Sequence, residues 1–452
     1  MVCDDDAAQS YALFLPSDYR ADRAWPILYC FDPAARGRLA VERFQAAAEK
    51  HGWIVAGSNN SRNGSLANSI ASAEALVRDT HRRLHLDDRR LYAAGFSGGA
   101  CCACAAAGAG KFSGVIACSG GFPYGVPSSV AFVFFGTAGT SDFNYSEMKD
   151  VDARLAVQQV PHRVAIFNGD HEWLPEPLAA EAIDWLELQA MRSGLRPKDD
   201  AFIATQFHQR EQAIAEMKIP GEAYVASIGL VADFDGLADI SEAVHRVSAL
   251  KNSKPVRQFL AAETKSLKQE QTWADQLFTI ASEARHPPAP AARRRNRASE
   301  AAPILRPDFS GGPSRDPAGN VSGAPPALRD WVEPVDDEPE EPFDALRRAV
   351  HELQRKSREN PAARRALNRV FFTFFERSRL FVDEGKYSDA AGLLEVAAVI
   401  RPEVPAVDFE QARLSLLQGD TPNARRLLDS AIAKGFSDGE GIALLREKLS
   451  SP

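Results

Sequence analysis

The chain has 452 residues, 45% hydrophobic and 25% charged, which is a soluble globular balance and enough length for more than one domain. Its formal net charge of −8 argues against generic nucleic-acid binding. No uninterrupted apolar run reaches the length of a membrane span, and the opening Met1-Val2-Cys3-Asp4-Asp5-Asp6 is the opposite of a signal peptide. The chain as given therefore reads as cytoplasmic, with a lost upstream export signal left open because the first strand follows so closely.

In chain order, Tyr11-Ala12-Leu13-Phe14-Leu15 reads as an edge strand. Short apolar runs at 27–31, 53–57, 91–95, 115–119, 130–136 and 164–168 read as further strands, with amphipathic helical stretches at 39–51 and 66–84 between the first three. Strands alternating with helices predict an α/β fold with a doubly wound, mostly parallel sheet. The Ala- and Cys-rich stretch 99–107 fits a tightly packed helix, and another helix is expected to begin near Ser146.

Gly95-Phe96-Ser97-Gly98-Gly99 is a G-x-S-x-G pattern placed between an expected strand and an expected helix. That context is what a nucleophile elbow requires: the serine occupies a strained backbone position, and the small residues flanking it let the turn close. The partners of such a serine follow it in the order acid, then histidine, each in a loop after a strand. Of the two histidines between Ser97 and residue 192, His162 precedes the last strand, whereas His171 follows it, where a catalytic base belongs. Asp142 follows the strand at 130–136 and is placed to orient His171, while Glu147, Asp150 and Asp152 fall on the helix expected from Ser146.

His171 would then take the Ser97 hydroxyl proton as it attacks an ester carbonyl, Asp142 would stabilise the imidazolium, and water would hydrolyse the acyl-enzyme. The oxyanion requires N–H donors. Gly98, the residue after the nucleophile, is one; the other belongs to the loop after 27–31, where Pro33 has no N–H, leaving Ala34 as first choice and Asp32 in reserve.

With these residues in place, positions 10–195 resemble the α/β-hydrolase superfamily, in particular the small esterases of the dienelactone-hydrolase, feruloyl-esterase and polyhydroxyalkanoate-depolymerase type. The resemblance rests on Gly95-Phe96-Ser97-Gly98-Gly99, Asp142, and His171 followed by Trp173. It implies carboxylic-ester hydrolysis with neither metal nor organic cofactor. The pattern departs from the family in having one strand before residue 27, where two are usual, and only residues 120–129 where many relatives carry a cap; an uncapped site favours exposed or bulky esters. A hydrolase-fold scaffold that acts only by binding, and a serine peptidase, remain alternatives.

The six cysteines, Cys3, Cys30, Cys101, Cys102, Cys104 and Cys118, lack a second pair or a His set to complete a site, so Cys101-x-x-Cys104 reads as reduced packing rather than a metal or redox centre. His81 and His85, four apart on an expected helix, lack a third ligand and read as surface residues. His171-Glu172 does not extend to a zinc motif, since position 175 is Pro175.

The expected domains are a catalytic unit at 1–195, a helical extension at 196–285, a disordered Pro-, Gly- and Arg-rich linker at 286–342 containing Arg293-Arg294-Arg295, and a helical module at 343–452. Within the last, Gly385-Lys386-Tyr387-Ser388-Asp389-Ala390 is matched by Gly419-Asp420-Thr421-Pro422-Asn423-Ala424 at the 34-residue period of tetratricopeptide repeats, and Leu394/Leu428 and Ala397/Ala431 keep the offset. Residues 367–436 resemble two such repeats, which implies a surface for a protein partner or for self-association.

Overall fold

The computed structural model describes residues 1–110, 112–286 and 343–450. These residues form two compact units; the first comprises residues 1–266 and the second begins at Leu267. The expected linker at 286–342 lies, apart from His286, outside the described residues.

The first unit is built on a sheet of β1 (Tyr11–Phe14), β2 (Trp25–Phe31), β3 (Ile54–Ser58), β4 (Leu86–Phe96), β5 (Gly114–Cys118), β6 (Val133–Gly139) and β7 (His162–Phe167). Their order across the sheet is β1-β3-β2-β4-β5-β6-β7, with β1 antiparallel to β3 and every other pairing parallel. Helices α1 (Gly37–His51), α2 (Leu66–Arg83), α3 (Gly98–Ala109), α4 (Tyr145–Val157) and α5 (Glu176–Arg192) connect or follow these strands.

Strand periodicity distributes the core over both faces. Ile27, Tyr29 and Phe31 of β2 join Leu91 and Ala93 of β4 in one cluster with the buried sides of α2, α3 and α4. Leu28 and Cys30, with Tyr92, Ala94 and Phe96, point the other way into a cluster with α1 and α5. All seven residues of β2 are buried, as a central parallel strand covered on both faces requires. This strand order and two-faced packing define the doubly wound α/β-hydrolase fold.

Several boundaries differ from the sequence expectation. β6 begins at Val133 rather than 130, because its pairing starts where Val133 meets Gly114 of β5; it runs on to Gly139, so Asp142 lies only three residues beyond it. β7 begins at His162 itself. α2 closes at Arg83 with Leu84 as its C-cap, which puts His85 off the helix. His85 Nδ1 is instead bonded to the Ala21 carbonyl, whereas His81 contacts Val77 O and Asp88.

The helical extension packs into the first unit. α6 (Asp200–Glu216), α7 (Pro220–Phe234) and α8 (Ser241–Lys251) share a core with the end of α5, formed by Leu188, Met191, Ile203, Ile214, Leu230, Phe234 and Ala243. Trp185 Nε1 donates to buried Asp233 at 2.6 Å, and Arg210 donates to the same carboxylate, with Arg163 3.8 Å away. The boundary between compact units therefore falls inside α9 (Lys254–Arg285), between Ser266 and Leu267, and not near 195 or 285.

In the second unit, the last part of α9 joins α10 (Asp344–Ser357), α11 (Pro361–Asp383), α12 (Tyr387–Ile400) and α13 (Pro405–Leu417) around one apolar core, while α13, α14 (Thr421–Ala433) and α15 (Gly439–Ser450) surround another. Buried Glu270 accepts from Arg365 Nε and Arg369 Nη2, both at 2.6 Å. The turns α11–α12 and α13–α14 have the same build: Gly385 and Gly419 take positive φ of 73° and 81°, and the next amides, of Lys386 and Asp420, bond back to Phe381 O and Ser415 O. Glycine is needed there because a left-handed residue lets each helix end by a Schellman-type turn.

At the opposite end of the chain, Asp79 on α2 is fully buried and accepts hydrogen bonds from the Asp4 amide at 2.8 Å, Tyr11 Oη at 2.7 Å, Arg83 Nε at 2.7 Å and Arg82 Nη2 at 3.2 Å. Burial works to raise its pKa, but these hydrogen bonds outweigh that and hold it down to about 2.

Two predictions test these anchors. An unfolded Asp titrates near 3.9, so Asp79 contributes stability that is fully present above about pH 4 and lost as pH falls towards 2. Asp79→Asn should flatten that part of the stability curve in urea unfolding at a series of pH values; an unchanged slope would remove Asp79 from the account. Asp233→Ala should cost about 3–5 kcal/mol, because it strands the half-buried Arg210 and the buried Trp185 N–H, whereas disrupting the exposed Arg20–Asp22 pair should cost less than about 1 kcal/mol. A loss at Asp233 below about 1 kcal/mol would mean that the extension is not integral to the first unit.

Candidate active site

The chemistry-bearing residues emerge from loops at the C-terminal edge of the parallel strands. β4 ends at Phe96 and α3 starts at Gly98, so Ser97 alone makes the turn, with φ of 55° and ψ of −121°. A non-glycine residue in such a region is held against a cost on the order of 1–3 kcal/mol by its surroundings. Here Ser97 N donates to Cys118 O of β5 at 2.8 Å, and Ser97 O accepts from the amides of Ala100 and Cys101.

The flanking glycines are required by contact. A Cβ on Gly95 would collide with the Gly99 carbonyl, and one on Gly99 with Phe31 O of β2. The small residues Ala100, Cys102, Ala103, Cys104 and Ala107 then let the rest of α3 lie close against the sheet. All six cysteines are free; Cys101 is half-buried and the other five are buried. Burial pushes the Cys101, Cys102 and Cys118 thiols up to about 12, which suits packing and disfavours thiolate chemistry.

His171 lies in the loop between β7 and α5. Its Nε2 is 2.9 Å from Ser97 Oγ and its Nδ1 is 2.9 Å from Asp142 Oδ1. Because the carboxylate can only accept, Nδ1 carries the proton and Nε2 is left to accept from the serine hydroxyl. The ring centroids of Phe143 and Phe96 stand 4.1 and 4.8 Å from that of the imidazole. Asp142 is fully buried; its Oδ1 also accepts from the Asn144 amide at 2.9 Å, and its Oδ2 has no hydrogen-bond partner among the described residues. The arrangement can carry a proton from Ser97 to His171 while Asp142 faces the resulting cation. Glu147 lies on α4, Asp150 pairs with Arg154, and Asp152 pairs with His162, so the last two are committed elsewhere.

The structure assigns a different task to Ala34. Its N–H donates to Asp32 Oδ1 at 2.8 Å, so it is not free for an oxyanion. The physical reason is an Asx-type turn, in which the aspartate side chain reaches the amide two residues on. The reserve choice, Asp32 N, lies 3.2 Å from where a Cβ on Gly99 would stand, beside the elbow. Gly98 N–H is the first of α3 and has no acceptor within the helix.

Three supporting contacts were not anticipated from the sequence. Buried Asp32 accepts from Trp173 Nε1 at 2.8 Å and from both Arg36 Nε and Nη2, tying the His171 loop to the loop after β2. Ser119, at φ of 54°, donates through Oγ to Glu172 O, and Asn144 Nδ2 donates to Ser119 O at 2.8 Å. Asn63 packs its carboxamide against Gly98. Only Trp173, two residues after the histidine, carried a sequence signal.

Among the described residues no group of three or more His, Cys, Asp or Glu side chains is placed to hold a metal ion, and no helix is long and apolar enough to cross a membrane.

No protein-family model matches the chain, and no curated protein matches it. Solved structures with a similar arrangement include an S-formylglutathione hydrolase of Staphylococcus aureus, at 16% identity over 39% of this chain and 90% of that one, with a TM-score of 0.33. Est1E of Butyrivibrio proteoclasticus, solved with ferulic acid, is 14% identical over 42% of this chain and 99% of its own, with a TM-score of 0.33. Esterase 2 of Thermogutta terrifontis is 12% identical over 43% and 94%, with a TM-score of 0.35.

The close approach around the elbow has a steric consequence. Gly99→Ala should lower stability by about 2–3 kcal/mol, because a Cβ cannot enter the space held by Phe31 O without moving α3 or β2. Gly108→Ala, on the same helix but with open space around its Cβ position, should be neutral or stabilising by about 0.5–1 kcal/mol. Thermal unfolding of the two variants reads the difference, and equal shifts would contradict it.

Proposed function

We propose that the first unit is a serine hydrolase that cleaves carboxylic esters. The observation that carries this reading is the hydrogen-bonded series Ser97 Oγ, His171 Nε2, His171 Nδ1, Asp142 Oδ1, with both spacings 2.9 Å and the serine held on a strained strand-to-helix turn. Ser97 Oγ forms a bond to the ester carbonyl carbon while its proton passes to His171. The carbonyl electron pair moves to oxygen, where the Gly98 N–H at the start of α3 receives the charge. Collapse of the tetrahedral adduct expels the alcohol, which takes the proton from His171, and a water activated by the same histidine releases the acid. The segment between β5 and β6 is short, and its Tyr124 is 78% exposed, which favours exposed or bulky esters over small enclosed ones.

The reading extends to the second unit. The repeated turns at Gly385 and Gly419, each joining two antiparallel helices, support a tetratricopeptide-like module that presents a surface to a peptide or to a second copy of the chain.

Ser97→Ala should abolish hydrolysis across a panel of aryl, acyl and hydroxycinnamoyl esters and eliminate labelling by a fluorophosphonate probe, with the unfolding temperature nearly unchanged. Asp142→Asn should keep the geometry but favour the wrong His171 tautomer, lowering kcat by up to about four orders of magnitude, while Glu147→Gln should have little effect. A parent protein that is never labelled, or a larger loss at Glu147, would overturn the assignment.

A further inference from the structure

The loop after β3, Asn59-Asn60-Ser61-Arg62-Asn63-Gly64, is polar and contributes nothing to the proton path through His171. It is nonetheless fastened on several sides. Asn60 and Ser61 amides donate to Ser58 Oγ, Ser69 Oγ of α2 donates to Arg62 O, Ala34 and Arg62 form an antiparallel bridge, and Asn63 N donates to Pro33 O at 2.8 Å. These bonds hold Asn63 between the loop after β2 and the nucleophile turn.

Its side chain fills the space that a side chain at position 98 would occupy. A Cβ on Gly98 would collide with Asn63 Oδ1; Asn63 Cγ stands 3.1 Å and Nδ2 3.8 Å from the same point. Gly98 is therefore glycine for a reason separate from the elbow's own geometry. Among the described residues the Asn63 carboxamide makes no hydrogen bond, although it is half-buried and fixed by its backbone. A rotation about the Cβ–Cγ bond exchanges its oxygen and nitrogen positions. The carboxamide thus packs against Gly98, the residue whose backbone N–H the proposed reaction directs at the oxyanion, while the Ala34 N–H is held by Asp32.

We infer that Asn63 is a catalytic residue: its Nδ2–H donates the second hydrogen bond to the oxyanion that forms when Ser97 Oγ adds to the ester carbonyl. This rests on Ser97 being the nucleophile. The donor is carried on a backbone held beside the nucleophile turn, costs no proton transfer, and acts only as charge develops on the carbonyl oxygen, so it lowers the barrier more than it tightens substrate binding.

The test uses the full chain and three proteins, the parent, Asn63→Ala and Asn63→Asp, assayed with an aryl ester and with an aryl trifluoromethyl ketone that adds to the serine to form an oxyanion. Each is first checked for a parent-like circular dichroism spectrum and unfolding temperature. Both variants should lose about 10²–10³-fold in kcat with KM within a few-fold, as removal of a single oxyanion donor does in other enzymes. They should lose trifluoromethyl ketone affinity in parallel, while Ser97 remains reactive to a fluorophosphonate at a reduced rate. Asn63→Asp keeps the shape but can only accept, so it supplies the answer should Asn63→Ala not fold. A kcat within about three-fold of the parent in a folded variant, or a loss in KM alone, overturns the inference. A parent that neither hydrolyses the ester nor takes the fluorophosphonate overturns the nucleophile reading itself, and is recognised as such before either variant is compared.

Discussion

The backbone turn at Ser97 is the constraint on which the rest of the site depends. A single residue separates the end of β4 from the start of α3, and it occupies a positive φ that it would not choose in isolation. Three packed strands hold it there: β4 leads into it, β5 accepts its amide through Cys118 O, and β2 presents Phe31 O to Gly99. No side chain can be accommodated at 95 or 99, because backbone atoms already fill those positions. The same close approach explains why α3 buries mainly Ala and Cys, since bulkier residues would lift the helix away from the sheet and release the turn.

Around that fixed point the other loops are held by buried polar groups. Asp32 is the hub of one such arrangement, taking the Ala34 amide, the Arg36 guanidinium and the Trp173 indole at once. It thereby joins the loop after β2 to the loop bearing His171 across a separation of 141 residues in sequence. Ser119 and Asn144 make the corresponding connection between β5, the Asp142 loop and Glu172. A buried carboxylate is expensive to desolvate, and most such groups have their acceptors filled. Asp32 meets that condition with five donors, the amides of Ala34 and Arg36, Arg36 Nε and Nη2, and Trp173 Nε1, whereas Asp142 Oδ2 has no hydrogen-bond partner among the described residues and its Oδ1 serves His171 and Asn144.

The helices that follow α5 show how a linear reading can misplace a boundary. Composition changes after residue 195, yet Asp233 reaches back to Trp185 and Arg210, and Phe234 and Leu230 share a core with Leu188 and Met191. In the second unit the internal match at Gly385 and Gly419 corresponds to two chain reversals of the same hydrogen-bonded form, so local sequence and local structure agree there.

The sequence by itself determined what depends on short-range chemistry. Alternating apolar runs set the strands, G-x-S-x-G between a strand and a helix marked the turn at Ser97, and chain order placed Asp142 and His171 in loops at one edge of the sheet. The match of the segments beginning at Gly385 and Gly419 was likewise legible, although the left-handed turn each glycine makes was seen only in the structure. What only the tertiary structure decided were matters of long-range approach. The Asx turn that takes the Ala34 amide depends on Asp32 being pulled inward by Trp173 and Arg36; the contact of Asn63 with Gly98 depends on two loops meeting; and the exact start of β6 depends on where β5 offers it a partner. Such contacts carry no periodicity, because the residues that make them are selected by position in space and not by spacing along the chain.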